Sequence, residues 1–170
     1  MSRPSRIRSN QLDPVQLIDF TRFYAAEVRS GAYPYVDYDA EARWHQRIYR
    51  DRRIDVWLIS WLPTQGTQLH DHGGSSGAFT VISGELAEAV HSDGRLRDHT
   101  HQAGTSVGFG PQYVHDVRNL SDAPAVSLHA YSRPLSSMRY YDLDGGVLVP
   151  LISLDTDDPE PSAGELRLAS

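Results

Sequence analysis

Apolar residues recur along this chain with two different periods, and the change between them divides it. Over residues 13–29 (DPVQLIDFTRFYAAEVR), Val15, Leu17, Ile18, Phe20, Phe23, Tyr24 and Val28 fall mostly on one face at helical spacing. Asp13 is placed to cap that run, Pro14 suits its first turn and Ser30-Gly31 ends it, which predicts an N-terminal helix. Residues 39–53 fit a turn at 39–41 followed by an extended stretch around 44–50. From residue 54 the grammar is β. Runs over 54–62, 77–83, 85–90, 95–101, 105–108, 114–119, 125–131, 140–141 and 147–152 are separated by Gly, Pro, Asp and Asn. The pair 77–83 and 85–90 is expected to form a hairpin over Ser83-Gly84. Short strands at such regular spacing predict a mainly β sandwich or barrel behind one N-terminal helix.

The organisation expected is a flexible N-terminus over residues 1–12, a single domain over 13–154 and an acidic tail over 155–170. That tail carries Pro and Ser and few apolar anchors, so loose order is expected there. A length of 170 residues suffices for one real core. Formal net charge is -6, and basic residues are scattered or confined to short groups such as Arg50, Arg52 and Arg53. That pattern argues against a nucleic-acid partner. There is no apolar run long enough for a membrane span, and the basic start lacks a secretory apolar core, so a cytoplasmic location is expected. No obligatory protein partner is evident. The absence of cysteine excludes disulfides, thiolate metal ligands and a cysteine nucleophile.

Candidate chemistry centres on residues 69–77 (LHDHGGSSG). On extended backbone His70 and His72 point to one face and Asp71 to the other. Two imidazoles on one face bind a first-row transition metal once a third ligand arrives, and His115 is the candidate. Further on, Ser127, His129 and Tyr131 share a face at period two, and a hydroxyl, an imidazole and a phenol in a row can form a hydrogen-bonded relay. Taken alone, that alternation is more often the pattern of a solvated edge strand. Trp57 and Trp61 share a face and read as core. Asp71 and Asp116 read as hydrogen-bonding neighbours of the ligands, and Asp55 as a surface residue. His99-x-His101 lacks the glycine frame and reads as a solvated strand.

The spacing Gly66-x3-His70-x-His72-x4-Gly77-x6-Gly84 resembles the first motif of the cupin superfamily. Gly104 through Pro111 to His115-x3-Asn119 resembles the second, with one residue fewer between Pro111 and His115. The resemblance implies a small β-barrel or jelly roll in which His115 meets His70 and His72. Cupins usually carry a glutamate ligand where Gly77 stands. Three neutral imidazoles would leave a divalent ion's charge uncompensated, favouring an anionic ligand such as a thiolate. Three-histidine sites also hold zinc hydroxide for hydrolysis or hydration.

The segments WLISW, HDHGGSSGAFTVISGELAEA and HDVRNLSDAPAVSLHAYSRP are similar to the thiol dioxygenases of the cysteine dioxygenase family, over residues 47–134 and more weakly to 152. That resemblance implies a mononuclear non-heme iron(II) held by His70, His72 and His115. It implies Ser127, His129 and Tyr131 as the catalytic relay, and Arg47, with Tyr131, as the group receiving the substrate and its carboxylate. The implied partners are a small thiol, L-cysteine the first choice, and O2. Both oxygen atoms would pass to sulfur to give a sulfinate, as in cysteine catabolism. Three departures bear on the substrate. Gly77 replaces the cysteine that animal enzymes cross-link to tyrosine, leaving Tyr131 unmodified as in bacterial relatives. His45 stands near a position often held by tyrosine, and Arg133 replaces a proline, so no cis-proline is expected there. The alternatives are 3-mercaptopropionate or a thiohistidine such as ergothioneine as substrate, a zinc cupin isomerase, and a non-catalytic metal-binding cupin. Arg47 argues against cysteamine, which has no carboxylate.

Overall fold

The computed structural model describes residues 11–33 and 35–159. The expectations for residues 1–10 and 160–170 lie outside the described residues. Helix α1 (Pro14–Arg29) begins in a capping box: the Gln16 amide donates to Asp13 Oδ1 at 2.9 Å, and the Asp13 amide donates back to Gln16 Oε1 at 3.1 Å. It stops at Ser30, where Gly31 takes a φ of +84° that other residues rarely adopt. Its buried residues, Leu17, Thr21 and Ala25, recur every four positions and form the face turned to the sheet.

Strands β1 (His45–Arg50), β2 (Asp55–Trp61), β4 (Ser76–Ser83), β7 (Ser106–Phe109) and β9 (Ala125–Ser132) form one sheet, in the order β1-β2-β9-β4-β7. Strands β3 (His70–Asp71), β5 (Glu85–Ser92), β6 (Arg95–Gln102), β8 (His115–Arg118), β10 (Met138–Asp144) and β11 (Val147–Leu154) form the other, in the order β11-β10-β3-β8-β5-β6. The interior between the sheets is filled by Trp57, Ile59, Trp61, Phe79, Leu86 and Phe109. On the other face of the first sheet, Val56, Leu58, Ala78, Leu128 and Ala130 pack under Leu17 and Ala25 of α1. Strands β2 and β9 are therefore buried along their whole length. This removes the solvated-edge reading of Ser127, His129 and Tyr131, because β9 lies inside its sheet with both faces covered.

The hairpin expected over Ser83-Gly84 does not form. Strand β4 pairs with β7 and β9, whereas β5 pairs with β6 and β8 in the facing sheet. Gly84 makes the corner with a φ of +74°, and a Cβ there would lie 2.6 Å from the Pro124 carbonyl oxygen. A turn signal marks where a strand bends; which sheet receives the next strand depends on distant pairing partners.

The domain also extends past the ends drawn from sequence. Gln11 Nε2 donates to the Ser132 carbonyl at 2.8 Å, and the Leu12 amide donates to Ser132 Oγ at 2.8 Å. At the other end, the Thr156 amide donates to the Ser136 carbonyl at 3.1 Å. Among the described residues no helix is long and apolar enough to cross a membrane.

Candidate metal centre

Strand β3 is only two residues long, but it lies between β8 and β10, and His70 is paired directly with His115 of β8. His72 follows on the same extended backbone. Ligand nitrogens of His70, His72 and His115 all lie within 4.8 Å of one another, and all three residues are buried. Asp71 points the other way, as its alternation requires. It accepts hydrogen bonds from the Gly73 amide at 2.8 Å and from Tyr141 Oη at 2.6 Å, and pairs with Arg139 Nε at 3.1 Å. Burial and the Asp71 carboxylate together push Tyr141 up to about 12. The loop bearing both histidines is thereby tied to β10.

The imidazoles are oriented for a metal. His70 Nδ1 lies 2.7 Å from the Gln68 carbonyl oxygen, and His115 Nδ1 lies 2.7 Å from Glu88 Oε1. Assigning the proton to Nδ1 in both leaves each Nε2 lone pair for a ligand bond. Burial, reinforced by the neighbouring imidazoles, holds His70 and His72 well below the usual histidine range, hence neutral. Neutral, converging, pre-oriented imidazoles fit a divalent first-row ion.

Glu88 is the site residue that sequence reasoning missed. It is 2% exposed, and beyond His115 it receives His101 Nε2 at 2.7 Å and Tyr113 Oη at 3.0 Å. Burial opposes its ionisation, but the hydrogen bonds from His101 and His115 prevail and bring its carboxyl down to about 2. Two readings change with it. The ion's charge would not stand uncompensated, because a carboxylate sits one residue behind a ligand. The solvated reading holds for the rest of β6, exposed at all its other positions including His99, but not for His101, which is buried against Glu88. The alternation of Leu86 and Glu88 in β5 was the available signal, since it puts a carboxylate on the strand's inward face.

Gly77 has a steric explanation. A methyl group placed there would run into the Phe109 ring, and that ring stacks on His72 at a centroid distance of 5.0 Å. Neither a glutamate ligand nor a cross-linking cysteine fits while Phe109 fills that space.

The wall opposite the ligands is β9. Trp61 Nε1 donates to Ser127 Oγ at 2.8 Å, and the Ser127 hydroxyl can donate onward to His129 Nε2, also at 2.8 Å. Trp61 is therefore both a core residue and the anchor of the Ser127–His129 hydrogen-bonded pair. Burial, then the His115 imidazole, pushes His129 down to about 3. The Tyr131 ring lies 6.4 Å from His129 and 4.9 Å from His72, centroid to centroid. One small cavity is lined by His70, His115, His129, Tyr131 and Pro159.

Asp55 is fully buried rather than at the surface. It pairs across β2 and β9 with Tyr131 and accepts Trp57 Nε1 at 3.2 Å. Burial pushes its carboxyl up to about 6, and its Oδ1 has no hydrogen-bond partner among the described residues. Arg47, on β1, lies over the Trp57 ring at 4.4 Å. Its Nη2 donates to Asp157 Oδ2 at 2.9 Å, and Arg50 Nη1 donates to the same oxygen at 2.7 Å. His45 Nε2 meets Asp158 Oδ2 at 3.0 Å. The start of the tail, read from sequence as poor in anchors, is thus held by charged side chains, and its Pro159 is buried. Arg47 Nε is buried with no hydrogen-bond partner among the described residues. The peptide between Ser132 and Arg133 is cis, without a proline.

The family model for cysteine dioxygenase type I matches residues 11–144. The chain belongs to this family. Cysteine dioxygenase type 1 of Danio rerio is 32% identical to it, over 53% of this chain and 50% of that protein. The match thus spans half the length of that curated relative. Among solved structures, a Thermus thermophilus protein superposes with a TM-score of 0.52 at 24% identity, over 57% of this chain and 89% of its own. An RmlC-like cupin protein from Desulfovibrio desulfuricans superposes with a TM-score of 0.50 at 15% identity, over 59% and 91%. These two similarities establish the cupin fold, as the glycine and histidine spacing led one to expect.

Proposed function

We propose that this family member is an iron(II)-dependent thiol dioxygenase. It would add both atoms of O2 to the sulfur of a small carboxylate-bearing thiol, first L-cysteine, to give the sulfinate. The observation that carries the reading is the convergence of His70, His72 and His115, two of which, His70 and His115, line one small cavity together with His129 and Tyr131. Iron held by the three imidazoles would supply the centre at which a thiolate and O2 meet, which spin-paired organic groups alone cannot do.

The chain's own residues do the rest. Trp61 and Ser127 fix His129, and the wall so formed presents Tyr131 beside His72. The Tyr131 hydroxyl would donate a hydrogen bond to the reacting sulfur or oxygen, orienting it at little entropic cost. Arg47 would bind the carboxylate. It already binds one, that of Asp157, jointly with Arg50, and its orphaned Nε is a further donor for an incoming anion. The substrate's carboxylate would therefore displace Asp157, and Pro159 with it would uncover the cavity. Cysteine and 3-mercaptopropionate both carry the needed carboxylate, whereas cysteamine does not.

The test is oxygen uptake by the iron(II)-loaded protein offered L-cysteine, 3-mercaptopropionate, ergothioneine and cysteamine in turn, with products identified by mass. Uptake with a carboxylate thiol and a product heavier by two oxygen atoms is expected. Stoichiometric iron with no uptake for any thiol overturns the activity and leaves a metal-binding cupin.

A further inference from the structure

We propose that Glu88 is a positioning residue of the metal centre: through His115 it supplies the negative charge that three neutral imidazoles lack. The inference rests on the metal reading of His70, His72 and His115.

The geometry is specific. One carboxylate oxygen accepts from Nδ1 of His115, the ring nitrogen not left for a metal, and also from Tyr113; the second oxygen meets His101. Glu88 lies on β5 and His115 on β8, and these strands pair with Val90 opposite His115 and Glu88 opposite Val117. The carboxylate is thus held by backbone pairing as well as by its donors. A buried carboxylate behind a ligating imidazole fixes the tautomer and makes the other nitrogen a stronger donor. It also places a negative charge close to the ion, where low polarity strengthens its effect. In many cupins that charge comes from a glutamate ligand; here Phe109 excludes one at Gly77, and Glu88 supplies it from behind. The open coordination positions remain available to substrate, while part of the ion's charge is offset.

His101 and Tyr113 keep the carboxylate in place, each directing its side-chain hydrogen bond to Glu88. Glu88→Gln is close to an isosteric probe of this arrangement. The amide oxygen still accepts from His115 and Tyr113, and the amide nitrogen donates to His101 in its other tautomer, so only charge is removed.

The experiment measures Co(II) affinity by chelator competition and the Fe(III)/Fe(II) midpoint potential, for wild type, Glu88→Gln and Tyr113→Phe. Glu88→Gln is expected to weaken Co(II) binding about 10- to 100-fold and to shift the potential positive, since the lost charge had favoured Fe(III). Tyr113→Phe leaves the charge and removes one donor from the oxygen facing His115, so its potential is expected to move slightly negative. Wild-type affinity and potential in Glu88→Gln overturn the proposal. Should Glu88→Gln not fold, an unchanged or positive potential in Tyr113→Phe overturns it instead. Failure of wild type to bind Co(II) overturns the metal reading itself, and so is distinguishable.

Discussion

The wall that carries His70, His72 and His115 and the cluster of Arg47, Arg50 and Asp157 both rely on ionisable groups, yet they are held in different ways. In the wall, Glu88 and His115 are almost wholly buried, their contact is 2.7 Å, and each of their strands is paired on both sides. In the cluster, Arg47, Arg50 and Asp157 remain partly open to water, and Asp157 belongs to a segment outside both sheets. Removing a donor from the buried Glu88 carboxylate leaves an uncompensated charge, whereas exposed ion pairs such as those of Arg47 and Arg50 contribute only about 0.2–1 kcal/mol and weaken with salt. The wall is therefore built to stay. On the proposed reading, the Arg47 cluster would exchange the Asp157 carboxylate for that of the substrate.

The comparison breaks most severely with His72→Ala. Removing a ligand is expected to abolish metal binding and turnover together, checked by metal analysis and oxygen uptake; full activity without metal would sink the reading. Next comes Tyr131→Phe, expected to keep stoichiometric metal and lose turnover by about 10²-fold, which separates holding the ion from assisting the reaction. Arg47→Ala acts on the Arg47 cluster alone. The KM for the carboxylate thiol should rise about 10- to 100-fold, the worth of a charge-assisted hydrogen bond, with metal affinity unchanged. Asp157→Asn is smaller and opposite in sign. It removes the internal competitor, so KM should fall about two- to fivefold, and the difference from wild type should shrink as salt is raised. An unchanged KM at low salt would show that Asp157 does not compete.

A separate effect, on stability rather than on the reaction, concerns Asp55. In the folded protein its pKa of about 6 lies above the ordinary value of 3.8, so folding takes up a proton between those values. The stability contributed by the protonated form is full below about pH 4 and is lost as pH rises through about 6. Asp55→Asn should flatten that decline, giving a higher melting temperature at pH 8 than wild type and little difference at pH 4.

Much of the fold was legible because its signals are local. The capping box and the apolar stripe of α1 lie within one segment, and the glycines that frame His70 and His72 sit beside them in the chain. Residues missed or misread share another property. Glu88 and His101 lie on separate strands, β5 and β6, and the other members of their cluster, His115 and Tyr113, come from further along the chain. Asp55 was read as surface because a carboxylate beginning a strand usually is; here β9 and the segment at Leu135 enclose it. The tail was read from its lack of apolar anchors, and the charges that hold it on Arg47 and Arg50 gave no periodic signal.

From the sequence by itself came the class of structure, the candidate histidine ligands and the shared face of Ser127, His129 and Tyr131. The last follows from spacing along one strand, where backbone geometry alone decides which way a side chain points. Tertiary structure decided that β4 and β5 part into facing sheets, that Phe109 takes the space at Gly77, that Glu88 stands behind His115, and that Asp157 sits on Arg47. Those are contacts between segments far apart in the chain, fixed only when the sheets close on one another and burial makes each unpaired charge too costly to leave alone.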